Sequence, residues 1–163
     1  MGDGDRQRAI GTLMEGTAIA ILDGRRIMAL STVRPDGWPQ TTIVGYANIG
    51  LLLYFVISRS SQKFANVQQD NRVSIAVGEE PSHLGLSQAV YSSAYAVEAV
   101  DAAEREQAWR LLTERHPNLQ AYALPDQSEL AVMRARCEHV SVVDFTRGFG
   151  HTEAFDATHP AAT

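Results

Sequence analysis

Apolar and polar positions change in short runs through the middle of the chain, and each run ends at a turn signal. Ile27 to Val33 is apolar and β-rich. Arg34-Pro35-Asp36-Gly37 follows as a tight turn, in which Pro35 presets φ at the second position. Trp38 to Ala47 carries Thr41, Thr42, Ile43 and Val44, residue types that suit a pleated surface. Asn48-Ile49-Gly50 is a second turn signal, and Leu51 to Ile57 is a third apolar run. Three strands joined by short turns predict an antiparallel meander. The contiguous Leu51, Leu52, Leu53, Tyr54 and Phe55 imply burial on both faces of the third strand. One face meets the barrel interior and the other meets a helix or a partner.

The pattern then turns polar. Ser58-Arg59-Ser60-Ser61-Gln62-Lys63 opens a helix, with Ser60 or Ser61 as its N-cap. Phe64 and Val67 share one face of that helix, Asn71 ends it, and Arg72 to Val77 is a fourth strand. Gly78 to Gly85 is a loop. Gln88 to Val100 is a long fifth strand, marked by Val90, Tyr91, Tyr95 and Val97. Asp101 caps a further helix, with Glu104 placed three residues on as in a capping box. Ala108, Leu111 and Leu112 share a face of it, and it ends near His116-Pro117. Asn118 to Ala131 reads as a shorter helical stretch broken at Pro125, and Arg136 to Phe145 as the last strand. Upstream, Ile10, Leu13, Met14, Ala18, Ile21 and Leu22 give an N-terminal helix from Arg8, weakened by Gly11 and Gly16. The tail after Gly150 is expected to be loosely held.

These elements predict a mainly β fold, a six-stranded antiparallel barrel with helical inserts. One domain spans 1–163, with its core over about 24–146. No linker or internal repeat divides it. Strands do not alternate regularly with long helices, and neither GxGxxG nor GxxxxGK[ST] occurs. A net charge of −5 argues against a nucleic-acid partner. Cys137 is the single cysteine, so no internal disulfide forms, and it is expected as a small buried hydrophobe. No apolar run is long enough to span a bilayer, and the start is too polar for a secretory signal. The expected location is the cytoplasm.

The chemistry lies at the start of the helix after the third strand. A helix start offers free N–H groups and a positive dipole end. Arg59, Lys63 and the serine hydroxyls add charge and donors, which together suit a phosphate. From these residues alone, a phosphate site and an ordinary capped surface helix both remain open.

The order of pieces resembles the FMN-binding split β-barrel of the pyridoxamine 5'-phosphate oxidase-like superfamily. The resemblance rests on the Pro-Asp-Gly turn, Gly-Trp-Pro-Gln-Thr-Thr, Ser-x-x-Ser-x-Lys opening a helix, and the Asn-Arg-Val-Ser strand. It covers Gly24 to Val100, with an echo at Val140 to Thr152. It implies a homodimer with FMN at the subunit interface, acting as an oxidoreductase on a small molecule. It further implies that Thr41, Thr42, Ile43 and Val44 line the flavin, with Val56, Ile57 and Ser58 alongside. Arg59, Ser61, Gln62 and Lys63 would surround the phosphate, and Gln88 would reach the flavin, often from the partner.

The chain departs from that pattern. The oxidase has arginine where Thr42 stands, lysine at Ala47 and arginine at Gln62. Each charge-assisted bond contributes roughly 1.5–3 kcal/mol, so losing three weakens FMN binding unless hydroxyls or backbone compensate. The C-terminal Arg-x-His substrate signature is also missing, with Arg147-Gly-Phe-Gly-His151 as the nearest sequence. Vitamin B6 oxidation is therefore not expected. The alternatives are deazaflavin (F420) on the same barrel, or a non-catalytic flavin or haem protein using His83, His139 or His151. Tyr46 and His151 are the candidates for proton delivery. Asp144, Glu153, His139 and His151 lack the compact spacing of a zinc site, and no metal is expected.

Overall fold

The computed structural model describes residues 3–79, 82–121 and 126–157. Among these, three α-helices and seven strands form, in the order α1 (Asp3–Asp23), β1 (Ile27–Val33), β2 (Pro39–Ile49), β3 (Leu52–Ser58), α2 (Gln62–Gln69), β4 (Arg72–Gly78), β5 (Gln88–Glu98), α3 (Ala102–Arg115), β6 (Leu130–Asp144) and β7 (Thr152–Asp156). The strands pair antiparallel in the order β3-β2-β1-β4-β5-β6-β7, and β3 also pairs with β6. That second pairing closes strands β1 to β6 into a barrel, the six-stranded barrel the sequence predicts, and leaves β7 as an extra strand on the edge of β6.

Alternation decides which side chains fill the barrel. Met28 and Leu30 of β1, Val44 and Tyr46 of β2, and Leu53, Phe55 and Ile57 of β3 point inward with Val73, Ile75 and Val77 of β4. α1 adds Ala18, Ile21 and Leu22 to the same core. The contiguous apolar run of β3 is explained by a second cluster on its other face. Tyr54 and Ala47 meet Ala108 and Leu112 of α3 there, with Leu52, Val56 and Trp109 partly buried around them. The outer neighbour of β3 is therefore a helix of the same chain.

Turn chemistry follows the sequence. Gly37 adopts φ 85°, and its N–H bonds the Arg34 carbonyl at 2.8 Å. Asp101 caps α3 by accepting the Glu104 N–H at 2.8 Å. The reciprocal half of the capping box is absent, because the Glu104 carboxylate instead takes the Tyr54 hydroxyl at 3.1 Å and the Arg134 guanidinium at 3.0 Å.

Several expectations are corrected. β2 continues through Asn48 and Ile49, because Asn48 is buried and bonds Asp23 and Gly50, which moves the turn to Gly50-Leu51. Leu130 and Ala131 are strand, not the end of a helical stretch, and the last strand begins there rather than at Arg136, because Leu130 to Ala135 supply partners of β3 that close the barrel. The short helical stretch is a pair of 3-10 turns, Pro117–Ala121 and Gln127–Glu129, and the expected break at Pro125 lies outside the described residues. The segment after Gly150 is not loose throughout, since Thr152–Asp156 pairs with β6. In a regular strand, Cys137 and His139 would share one face. A register shift between Ser92 and Ala94 breaks that alternation, so that Cys137 and Val140 are buried and His139 is exposed. Burial pushes the Cys137 thiol up, away from nucleophilic chemistry. No described helix is long and apolar enough to cross a membrane.

Candidate functional site

β2 and β3 pair only between Tyr46–Ile49 and Leu52–Phe55. Beyond that point β3 keeps β6 as its neighbour and β2 keeps β1, so the two strands part. The Ser58–Lys63 turn and α2 follow directly from the end of β3.

Ser61 is the N-cap. Its φ and ψ are −77° and 147°, and its Oγ accepts the Phe64 N–H at 3.3 Å while donating to the Ser58 carbonyl at 2.7 Å. Ser58 Oγ and Ser60 Oγ are 2.8 Å apart, and Ser58 Oγ accepts the Ser60 N–H. Three hydroxyls are thus gathered at one helix start. The N–H groups of Gln62 and Lys63 begin the helix and have no carbonyl four residues back within it.

The two cations of the turn behave differently. Arg59 is paired with Glu98 at the end of β5 and lies 5.6 Å from the centre of the Phe64 ring. Its charge is neutralised within the protein. Lys63 is half-buried and makes no hydrogen bond or ion pair with the described residues. Gln62 donates to Asn66 Oδ1 at 2.9 Å.

On β2, Thr41 Oγ1 lies 2.8 Å from Ser31 Oγ, its cross-strand partner. Thr42 Oγ1 is buried with no hydrogen-bond partner among the described residues. A buried hydroxyl left unpaired is costly, and such an atom is a marker for a missing ligand. Ile43 is 65% exposed on the outer face, while Val44 and Ile57 are core residues. Val56 is half-buried beneath α3.

Gln88 stands apart from this set within one chain. It begins β5, whereas Glu98, the partner of Arg59, ends it, and eleven strand residues extend over about 33 Å. The Gln88 side chain bonds the Asp144 carboxylate, which Thr146 and Gln88 together hold below its usual range against the effect of burial.

Neither proton-delivery candidate is equivalent to the other. Tyr46 is fully buried and its hydroxyl donates to the Leu22 carbonyl at 2.7 Å, so it is held inside the core and removed from that role. His151 is half-buried, and its Nε2 lies 3.6 Å from Glu153 Oε1, beyond hydrogen-bond distance and otherwise unpartnered. His139 bonds Asp156 at 2.8 Å and His83 lies exposed in its loop. Among the described residues no three His, Cys, Asp or Glu converge as a metal group.

One residue was not legible as part of a site. His116, at the end of α3, reaches the outer face of β2 where β2 and β3 part. Its Nε2 lies 3.0 Å from the Tyr46 carbonyl oxygen. It lines a cavity of about 330 Å³ with Gly45, Val56, Arg26 and Leu112. A histidine before a proline reads in sequence as a helix terminator, and nothing local signals contact with a strand 70 residues back.

Closed six-stranded pairing, the parting of β2 from β3 and the hydroxyl-rich start of α2 define a split β-barrel. A sequence model of the pyridoxamine 5'-phosphate oxidase family matches residues 14–144, and the chain belongs to that family. No curated protein matches it in sequence. In structure it is similar to a heme-binding protein of Mycobacterium smegmatis, with a TM-score of 0.73 and 22% identity over 87% of this chain. The chain spans 56% of that protein's length. It is also similar to a FAD-binding protein of Mesorhizobium loti, with a TM-score of 0.64 and 22% identity, over 77% of this chain and 91% of the other. A heme storage protein of Vibrio cholerae gives a TM-score of 0.62 at 18% identity, over 73% of this chain and 86% of the other.

Proposed function

We propose that this protein binds FMN, with the phosphate at the first turn of α2, and serves as an oxidoreductase for a small molecule. The observation that carries this reading is the pair of uncommitted groups in the family-matched region, the Lys63 ammonium and the buried Thr42 hydroxyl. The residues present fit a phosphate. Lys63 supplies the charge, the mutually bonded Ser58 and Ser60 keep one hydroxyl proton to donate, and Gln62 and Lys63 supply backbone N–H groups. They offset in part the cations missing at Thr42, Ala47 and Gln62. The FAD-binding protein of Mesorhizobium loti is a structural relative in keeping with a flavin. When bound, the flavin ring supplies the electron or hydride chemistry, while the protein binds and orients it.

The same reading includes a homodimer in the cytoplasm. The outer face of β1, β2, β4 and β5 favours a second copy, because Ser31, Ser74, Ala76 and Ser93 are small and Ile43 and Tyr91 are apolar and exposed. Gln88, remote from α2 in its own chain, would exchange its bond to Asp144 for one to the partner's flavin.

A second reading has one specific observation behind it. His151 Nε2 lies 3.6 Å from Glu153 and has no hydrogen-bond partner among the described residues, so it would be the group to hold a haem iron, and two structural relatives are haem proteins. Absorption spectra of purified protein titrated with FMN, F420 and haem separate the readings. FMN binding weakened at least tenfold by Lys63→Ala supports the flavin site. No uptake at micromolar FMN, together with a Soret band lost in His151→Ala, replaces it with haem.

A further inference from the structure

α2 is an eight-residue helix, two turns long, and helices of that length have little stability of their own. What aims its first turn must come from tertiary contacts. Val67 packs into the core and Phe64 against it, but apolar contacts fix depth better than direction. Among the described residues, the side-chain hydrogen bonds from α2 to other elements pass through Asn66, which is fully buried.

Asn66 Nδ2 donates to Thr32 Oγ1 at 2.9 Å and to Gln40 Oε1 at 3.0 Å. Thr32 and Gln40 are register partners on β1 and β2, so the amide grips one cross-strand pair of the hairpin. Asn66 Oδ1 accepts the Gln62 side chain at 2.9 Å, one turn back at the helix start. Its backbone carbonyl takes the N–H of Asp70, the C-cap. A buried amide held by side chains of two neighbouring strands is a rigid joint, since moving α2 off the hairpin strands a polar group in the core.

We infer that Asn66 is the positioning residue of the anion site: by joining the start of α2 to the β1–β2 hairpin, it holds the Gln62 and Lys63 N–H groups and the Lys63 side chain toward the bound phosphate. This deepens the flavin reading and rests on it. Asn66 does not touch the ligand. Its effect therefore falls on the phosphate end of the flavin and leaves the ring end alone.

Riboflavin, which has the same ring and no phosphate, reads that difference. Affinities for FMN and riboflavin are measured by fluorescence quenching for the wild type, Asn66→Ala, Thr32→Val and Thr32→Ser, with thermal melts of each. Thr32→Val keeps shape and removes one acceptor, so it stays informative if Asn66→Ala fails to fold. Asn66→Ala is expected to weaken FMN at least tenfold while riboflavin changes less than twofold. Thr32→Val is expected to do the same to a smaller degree, and Thr32→Ser to restore the wild-type ratio. Equal loss for both ligands, or no loss for FMN in a folded variant, overturns the positioning role. A wild type that binds FMN no better than riboflavin, or binds neither, overturns the phosphate site itself.

Discussion

The imidazole of His116 lies against the bare α-carbon of Gly45. A Cβ added there would stand 3.1 Å from His116 Cε1 and 3.3 Å from Nε2. Nε2 is also the atom 3.0 Å from the Tyr46 carbonyl oxygen, so it carries the proton and donates. Gly45→Ala is expected to push the imidazole aside by a few tenths of an ångström and to lower stability by about 1 kcal/mol, the low end for overfilling, because His116 borders a cavity. Urea unfolding checks this. In a double-mutant cycle His116→Ala should cost less in the Gly45→Ala background than in the wild type. Strict additivity would assign the loss to some other contact.

Ser61 has a structural role and a proposed binding role, and two substitutions part them. Ser61→Ala removes the cap on Phe64 N–H and is expected to cost about 1 kcal/mol. Ser61→Asp is a good cap and suits the positive end of α2, so stability should be kept. Its carboxylate would repel a phosphate, however, and FMN binding should fall below that of Ser61→Ala. If the aspartate variant binds FMN as the wild type does, the phosphate lies elsewhere.

Thr42 gives a test that needs no ligand. Its hydroxyl is buried and unpaired, so Thr42→Val removes a desolvated polar group at nearly constant volume. The apo-protein is expected to gain about 1 kcal/mol, read from denaturant midpoints. The same variant should bind FMN less tightly than the wild type. A loss of apo stability would mean that the hydroxyl has a partner in solution.

Alkaline pH probes the second core cluster. Burial, followed by the nearby Glu104 carboxylate, pushes the Tyr54 hydroxyl up from 10 to about 12. Burial also pushes Tyr46 up strongly, against the influence of Arg115 and Arg25. Below the ordinary value both chains keep the proton and the contribution is fully present. Above it the unfolded chain releases the proton while the native one holds it, so stability is lost between about pH 10 and 12. Unfolding free energies across that window should decline, and Tyr54→Phe should flatten part of the decline. An unchanged slope in the variant would place the loss on other groups.

Strands β1 to β5 and the cap residues Ser61 and Asp101 were legible because each carries its signal locally, in alternation, a turn or a hydroxyl. The first six residues of β6 were not. Leu130 to Ala135 contains Met, Arg and Ala, which suit a helix as well as a strand, and its state is settled by pairing with β3 far back in the chain. The bulge near Cys137 has no glycine to announce it. β7 is short and half polar, and it is held by the edge of β6 rather than by its own composition. At the site, the serines and Lys63 were readable as residue types suited to a phosphate. That Arg59 is committed to Glu98, and that Asn66 ties α2 to the hairpin, depends on contacts between distant segments.

The pairing of β6 with both β3 and β5 also sets an order of assembly. β1 to β5 can pair without β6, but they make an open sheet whose β3 edge is bare until Ser58 meets Leu130. During synthesis that edge waits for the last quarter of the chain to leave the ribosome. Loop closure over such a span is slow, and an exposed apolar edge is the place where nascent copies stick to one another. Truncation within 130–136 should therefore leave a chain that aggregates through β3 rather than a smaller folded domain.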